Sequence, residues 1–325
     1  MSKKKVLVCG ATGFIGRNIA ENFSLRSEYE VYGTYLDTNP FDNPKIKMFK
    51  VDLRDPIQVD NIVRGKDIII QAAATTSGAK DIITKPYCHV TDNAVINSLI
   101  FRSAYETNIS HVIFFSCTVM YQSSDVPIKE SDFNANQGIY PNYFGVGWTK
   151  VYLEKMCEFY SRIGDTKFTV LRHSNVYGPY DKFDLEHSHV FGATMTKVMM
   201  TPHGGQIVVW GTGEEERDLI HVSDVVDFVE RALRMQQDRF DLVNVGAGKA
   251  IAVRDLVRKM ITLSGKELSL QHDTSKPTIK TSLFLDISRA RERYGWEPKI
   301  SLDEGIRKTM AWYRDHIDMT KLELK

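Results

Sequence analysis

The stretch that decides the fold is Lys5-Val6-Leu7-Val8-Cys9-Gly10-Ala11-Thr12-Gly13-Phe14-Ile15-Gly16-Arg17-Asn18-Ile19-Ala20. Its opening aliphatic run predicts a strand over Lys5–Cys9, and the apolar spacing that follows predicts a helix over Ile15–Ser24. Between them stand Gly10, Gly13 and Gly16 in a GxxGxxG spacing. Glycine lets the chain turn sharply out of a strand and approach a bound group closely. The helix beyond offers unpaired N–H groups and the positive end of its dipole, a combination suited to a pyrophosphate. A glycine trio alone would also serve a plain tight turn; the order strand, turn, helix at the head of an alternating pattern strengthens the phosphate reading.

That alternation continues. Short β-branched runs predict strands at Glu30–Tyr35, Lys47–Val51, Asp67–Ala72, His111–Ser116 and Lys167–Arg172. Helical spacing predicts helices around Pro56–Val63, Ala94–Thr107 and Gly147–Ile163. The last carries apolar stripes at Leu153, Cys157, Tyr160 and at Tyr152, Met156, Phe159, Ile163. The pattern is that of an α/β protein with a doubly wound parallel sheet of the Rossmann type. After Arg172 regularity loosens into a loop-rich stretch with a run at Gln206–Trp210, a helix over Ser223–Met235, a strand at Leu242–Val245, and helices at Ala252–Ser264, Asp286–Tyr294 and Ser301–His316. The expected division is a dinucleotide-binding part over residues 1–173, with a segment returning to it near 218–246, and a smaller interleaved region over 174–217 and 247–325.

Composition narrows the partners. The 325 residues are 42% hydrophobic and 26% charged, so a sizeable core is available. With 42 Lys+Arg against 41 Asp+Glu, the net charge of +1 gives no electrostatic reason to expect nucleic acid or an anionic membrane. No apolar run approaches the roughly 20 residues that cross a bilayer, and Val6–Cys9 is too short for a signal-peptide core. Cys9, Cys88, Cys117 and Cys157 lack metal-ligand spacing, so no metal is expected. Free thiols, most of them buried, fit a cytoplasmic protein.

The GxxGxxG turn resembles that of the extended short-chain dehydrogenases/reductases. Further segments are similar to the sugar-nucleotide epimerase, dehydratase and reductase group within it, nearest to the GDP-L-fucose synthases and GDP-sugar C4 dehydrogenases and reductases. They are Asn175-Val-Tyr-Gly-Pro179, Ser188-His-Val190, Trp210-Gly-Thr-Gly213, Arg217-Asp-Leu-Ile-His-Val-Ser-Asp224 and the stretch from Lys150 to Glu158. The likeness implies a nicotinamide dinucleotide held by Gly10, Thr12, Gly13, Phe14, Ile15 and Gly16, with Asp52 and Leu53 at adenine. It also places Ala72, Ala73 and Ala74 along the cofactor, Asn93 at the family's helix asparagine and Lys150 at the nicotinamide ribose. On residues alone, Asp52 reads equally as a helix N-cap. The second predicted strand ends in Gly33-Thr-Tyr-Leu-Asp37, with an acid suited to a ribose diol and no Arg or Lys for a 2′-phosphate, which favours NAD over NADP.

The resemblance gives Asn175 and Arg217 to the substrate's diphosphate and sugar, since a guanidinium donates a planar pair of bonds to phosphate oxygens. Alternatively Arg217 pairs with its acidic neighbours, Glu214 to Glu216 or Asp218. His189 touches substrate or catalysis, or is an ordinary loop histidine. His221, before a helix start, reads as structural, and Tyr177 and Trp210 as packing residues.

The family's Tyr-x-x-x-Lys is broken, because Val146 stands four before Lys150 and valine carries no proton. Tyr143, seven before Lys150, shares its helical face and is the candidate replacement, or merely packs. The family's hydroxyl residue falls on Cys117, with Thr118 beside it. Thr118 and Val119 occupy the places where the dehydratases have an acidic pair and, at 119, the fucose synthases a cysteine. Dehydration and 3,5-epimerisation are thereby disfavoured. What remains, by the resemblance, is hydride transfer at C4 of a nucleotide-linked sugar, expected to be a GDP-sugar for surface polysaccharide. The alternatives are a 4-epimerase that retains its cofactor and a cofactor-binding sensor without catalysis. The likeness further implies a homo-oligomer built on Ala94–Thr107 and Gly147–Ile163, helices which on pattern alone would simply cover the sheet.

Overall fold

The computed structural model describes residues 2–75, 85–185, 188–275 and 282–318. Its central strand, β1 (Lys4–Cys9), turns Val6 and Val8 to one face and Leu7 and Cys9 to the other, and all four are buried. A strand apolar on both faces needs cover on both, which is the condition of a parallel sheet between helical layers. Six further strands join it: β2 (Tyr29–Tyr35), β3 (Ile46–Lys50), β4 (Ile68–Gln71), β5 (His111–Phe115), β6 (Lys167–His173) and β10 (Phe240–Val245). Their order is β10-β6-β5-β4-β1-β2-β3, and every pairing is parallel. The expected Rossmann-type sheet is present, and the strand expected at Leu242–Val245 joins its edge as β10.

Helices α1 (Phe14–Ser24), α6 (Val222–Met235) and α8 (Ser288–Tyr294) cover one face, where Ile19, Phe23, Phe228 and Tyr294 pack on Val6, Val8 and Ile70. Helices α2 (Pro56–Val63), α3 (Thr91–Glu106) and α4 (Phe144–Ile163) cover the other, where Ile100, Phe101, Leu153 and Cys157 meet Leu7, Ile69 and Phe114. Each buried side chain of this size contributes about 1.5–3 kcal/mol. The two faces together fix where the strand ends lie.

Beyond β6 the chain builds a smaller region with its own core of Phe191, Met195, Leu256, Met260, Ile306 and Tyr313. It holds a three-stranded sheet of β7 (Asn175–Tyr177), β9 (Glu216–His221) and β11 (Ala250–Ala252), and a parallel pair of β8 (Gln206–Trp210) with β12 (Ser269–Asp273). Helices α5 (Val190–Met200), α7 (Val253–Ser264) and α9 (Leu302–His316) pack around them. Within 218–246, α6 and β10 belong to the main sheet and its cover, whereas β9 pairs with β7 and β11.

The stretch read as loops after Tyr177 contains α5. Its Gly, Val and Thr are poor helix formers, and contacts with Phe183 and the α7 side supply what propensity does not. Helix α4 begins at Phe144 rather than Gly147, because Pro141–Tyr143 forms a 3-10 turn that runs into it and leaves Tyr143 at the N-cap. Its two stripes also divide: Leu153 and Cys157 are buried, while Tyr152, Phe159 and Ile163 are 53%, 54% and 48% exposed. Among the described residues no helix is long and apolar enough to cross a membrane. Cys9, Cys117 and Cys157 are free thiols; the side chain of Cys88 lies outside the described residues.

Candidate functional site

The candidate residues follow the carboxyl ends of the central strands, where ligands of open α/β sheets bind. At the β1 end, Gly10 has φ +75 and lies so close to Ala73 that a Cβ would stand 2.7 Å from the Ala73 Cα. A Cβ on Gly16 would fall 2.2 Å from the Gly10 carbonyl oxygen. Both positions admit only glycine. Gly13 caps α1 in an extended conformation without a side-chain bond, and the first turn carries no acid, so its dipole end is left for an anion. Thr12, Phe14 and Ile15 lie partly buried along this turn.

Ala72 and Ala73 line the adjacent wall beyond β4, with Ala74 exposed. Asn93 is bonded to the chain itself: its amide oxygen accepts from Thr75 N and its nitrogen donates to Thr75 O, both at 2.9 Å, pinning the end of that wall. At the far corner Leu53 is buried. The cap of α2 is Asp55, which accepts from the Ile57 and Gln58 amides, so the N-cap reading of Asp52 is corrected. Asp52 instead binds the Arg54 guanidinium through two bonds of 2.9 Å. Arg54 also lies 3.5 Å from Asp92 and within the field of Asp37. The expectation of no arginine near the end of β2 is therefore also corrected, because the β3–α2 loop folds Arg54 back to it.

At the reacting end Lys150 is 8% exposed and donates from Nζ to Phe115 O at 2.8 Å. Burial lowers its pKa, partly opposed by Cys117 and Glu154. Tyr143, at the start of α4, is brought to Cys117 and Arg217. Burial raises its phenol pKa, the Arg217 charge pulls it back, and Cys117 adds to the rise. Burial likewise raises the Cys117 thiol, against Lys150. Thr118 is buried beside it, and its carbonyl receives the Tyr121 amide at 3.0 Å. Val146 is partly buried one turn from Lys150.

Arg217 donates to Glu216 O at 2.7 Å, and burial lowers its pKa against Tyr143 and Glu215. Asn175 Nδ2 bonds Asp218 O at 3.2 Å, tying β7 to β9. His189 sits open to solvent at the head of α5. His221 caps α6 by accepting from Ser223 N at 3.2 Å, and Tyr177 stacks on Phe191 at 4.1 Å, both structural as expected. Trp210 is not a packing residue: it is 50% exposed, with Lys197 Nζ 6.0 Å from its ring.

Beside Cys117 runs a network that pattern reading missed. Ser116 Oγ donates to Glu154 at 2.6 Å, and Arg172 clamps the same carboxylate at 2.6 and 3.0 Å. Arg172 also donates to the Tyr121 hydroxyl, which donates to Asn244. The pair is almost wholly buried, so its loss would strand a charge in the core. The signal was present in two charged residues inside otherwise apolar stretches, Arg172 in β6 and Glu154 in α4.

A model of the NAD dependent epimerase/dehydratase family matches residues 6–246. The chain is 27% identical over 319 residues to a GDP-L-fucose synthase of Azorhizobium caulinodans, covering 95% of this chain and 96% of that one. It is 24% identical to a GDP-L-colitose synthase of Yersinia pseudotuberculosis, over 95% and 97% of the two chains. Among solved structures it is similar to a UDP-glucose 4-epimerase of Thermotoga maritima with UDP-glucose, with a TM-score of 0.84, 24% identity and coverage of 96% and 99%.

Proposed function

Because the chain belongs to the NAD dependent epimerase/dehydratase family, we propose that it is an oxidoreductase transferring a hydride between a nicotinamide cofactor and C4 of a GDP-linked sugar. The observation that supports this reading is that Tyr143 lies beside both Arg217 and Cys117, with Lys150 next to the same Cys117, in a chain whose β1–α1 turn is open only to glycine. In this reading Gly10, Gly13, Gly16 and the head of α1 hold the pyrophosphate, Leu53 and Asp52 border adenine, and Ala72 to Ala74 line the cofactor's course. Asp37 takes the adenosine ribose. Asp52, Asp92 and Asp37 surround Arg54, so the corner is net negative, which suits a neutral diol and repels a 2′-phosphate; NAD is preferred over NADP.

A bound nicotinamide supplies the hydride donor or acceptor. Lys150 holds its ribose, and Tyr143 exchanges the proton of the sugar oxygen in place of the tyrosine that Val146 displaces. Arg217 stands beside that phenol as its cation and holds the substrate's diphosphate together with Asn175. Cys117 or Thr118 steadies the reacting oxygen, and His189 borders the sugar. Trp210 offers a face for the base, and Lys197, one of whose three donors is used by Val208 O, turns an ammonium toward the acceptor edge of guanine. Exposed Tyr152, Phe159 and Ile163 on α4, with Val95 on α3, form an apolar surface that we assign to self-association.

The test is to incubate the purified protein with NAD and a series of GDP-hexoses while following the reduced-nicotinamide absorbance. A sugar-dependent rise that Tyr143→Phe lowers about 10²–10⁴-fold is the expected result. Conversion of the sugar with no net absorbance change would replace it with the epimerase reading, and neither signal here, together with no loss of absorbance when NADH and 4-keto GDP-hexoses are supplied instead, would sink both.

A further inference from the structure

His173 is the last residue of β6 and lies within the electrostatic reach of Lys150, the lysine left without a tyrosine by Val146. Its ring lies 5.9 Å from that of Phe115, whose carbonyl receives Lys150 Nζ at 2.8 Å. Its Nδ1 is 2.8 Å from Ser174 O. A carbonyl oxygen only accepts, so Nδ1 carries the ring proton and Nε2 is left as a bare lone pair. The ring is partly buried rather than sealed, and Lys150 from α4 and His189 from the head of α5 are the charged or titratable groups that act on it.

We propose that His173 is a further positioning residue of this site, whose Nε2 accepts a hydrogen bond from an O–H or N–H donor of the ligands where cofactor and sugar meet. The proposal rests on the hydride-transfer reading above. Its geometry has three parts: a tautomer fixed by the neighbouring carbonyl, a ring tilted 57° against Phe115 at the end of β5, and Lys150, whose Nζ is held on the Phe115 carbonyl. Burial pushes the imidazole down to about 4, and Lys150 and His189 push in the same direction. It is therefore neutral at every pH above about 5, and it acts as an acceptor, not as a carrier of the transferred proton. Two donors fit that chemistry, the reacting sugar hydroxyl and the carboxamide N–H of a nicotinamide.

Two variants test it in the full-length protein. His173→Phe keeps a flat ring against Phe115 and removes both nitrogens, while His173→Gln restores an acceptor. Wild-type binding of NAD, by calorimetry, is measured first; no binding there defeats the functional reading and the proposal with it. With wild-type binding and turnover in hand, the Phe variant is expected to lose about tenfold to a hundredfold in kcat/KM, as an unmet buried donor costs, and the Gln variant to recover part of it. A matching loss in NAD affinity names the cofactor amide as donor, and unchanged NAD affinity names the sugar hydroxyl. Full activity in the Phe variant, equal loss in both variants, or disappearance of an inflection between pH 6 and 8 in the Phe variant would each overturn it.

Discussion

At Gly16 the missing side chain is the function. A methyl group there would meet the Gly10 carbonyl at 2.2 Å, so Gly16→Ala must push α1 away from the turn. The expected result is a stability loss of about 1–3 kcal/mol in chemical denaturation and a fall in NAD affinity of at least roughly tenfold. Wild-type affinity in that variant would remove the turn from the cofactor site. Lys150→Met should spare the fold, since Met fills much the same space, yet lower kcat/KM by about 10²-fold or more. Such residues were legible because a glycine requirement and a lysine in a known spacing are visible one position at a time. Arg54, Trp210 and His173 were not. Arg54 matters only after the β3–α2 loop folds back on β2, Trp210 only because β8 turns it outward, and His173 only through its carbonyl neighbour.

Helix α4 shows what an element adds to its residues. One face, Leu153 and Cys157, closes the sheet; another, Tyr152, Phe159 and Ile163, remains in solvent. Pattern alone registered both stripes but not which one the sheet would use, because either satisfies a 3.6-residue period. The expected start at Gly147 is three residues late for a similar reason: Phe144, Gly145 and Val146 carry no helical signal of their own, and Gly145 is helical where the Val90 side chain packs against it. If the open stripe joins two copies, Phe159→Glu should convert a dimer to a monomer in sedimentation at micromolar protein without lowering the melting temperature of the protomer sharply. A dimer unaffected by that charge would move the interface elsewhere. In the sheet itself, His111 on β5 is buried, bonded to Thr169 at 2.7 Å and pushed down to about 3 by burial first and by Lys167 second. A histidine whose folded pKa is depressed binds fewer protons when folded, so its contribution is complete above about pH 6.5 and is lost as pH falls toward 3. Between pH 6.5 and 5 this amounts to about 2 kcal/mol, and His111→Gln should flatten the acid limb of the stability curve by that amount. An unchanged limb would assign the acid sensitivity to other groups.

At the scale of the molecule, the two regions are joined across α1. Asn18 Nδ2 donates to Phe14 O within α1 and to Pro179 O in the loop after β7, both at 2.9 Å. One position earlier, the Arg17 guanidinium lies 4.2 Å from the Phe41 ring and 3.9 Å from the Tyr180 ring. Tyr180 in turn meets Trp312 of α9 edge-on at 4.9 Å, and holds φ +69, a conformation costly for a bulky residue unless its surroundings enforce it. A cation between two rings thus connects the loop after β2, the phosphate-side helix and the C-terminal helix of the smaller region. None of this was legible in the sequence, since Phe41, Arg17, Tyr180 and Trp312 are scattered and each is unremarkable where it stands. The strained Tyr180 follows the Asn175–Pro179 segment, so releasing the clamp should disturb the substrate half more than the cofactor half. Each cation–π contact is worth about 0.5–1 kcal/mol, so Arg17→Ala should raise the sugar KM roughly threefold to tenfold. The same variant should leave NAD affinity by calorimetry within about twofold, because the glycine turn keeps its own geometry. Asn18→Ala, which removes the bond to Pro179, should act in the same direction, and the pair should fall short of additivity because both act on one loop. A variant that weakened NAD binding while sparing the sugar KM would show that Arg17 serves the phosphate end instead, and that the clamp does not carry substrate geometry.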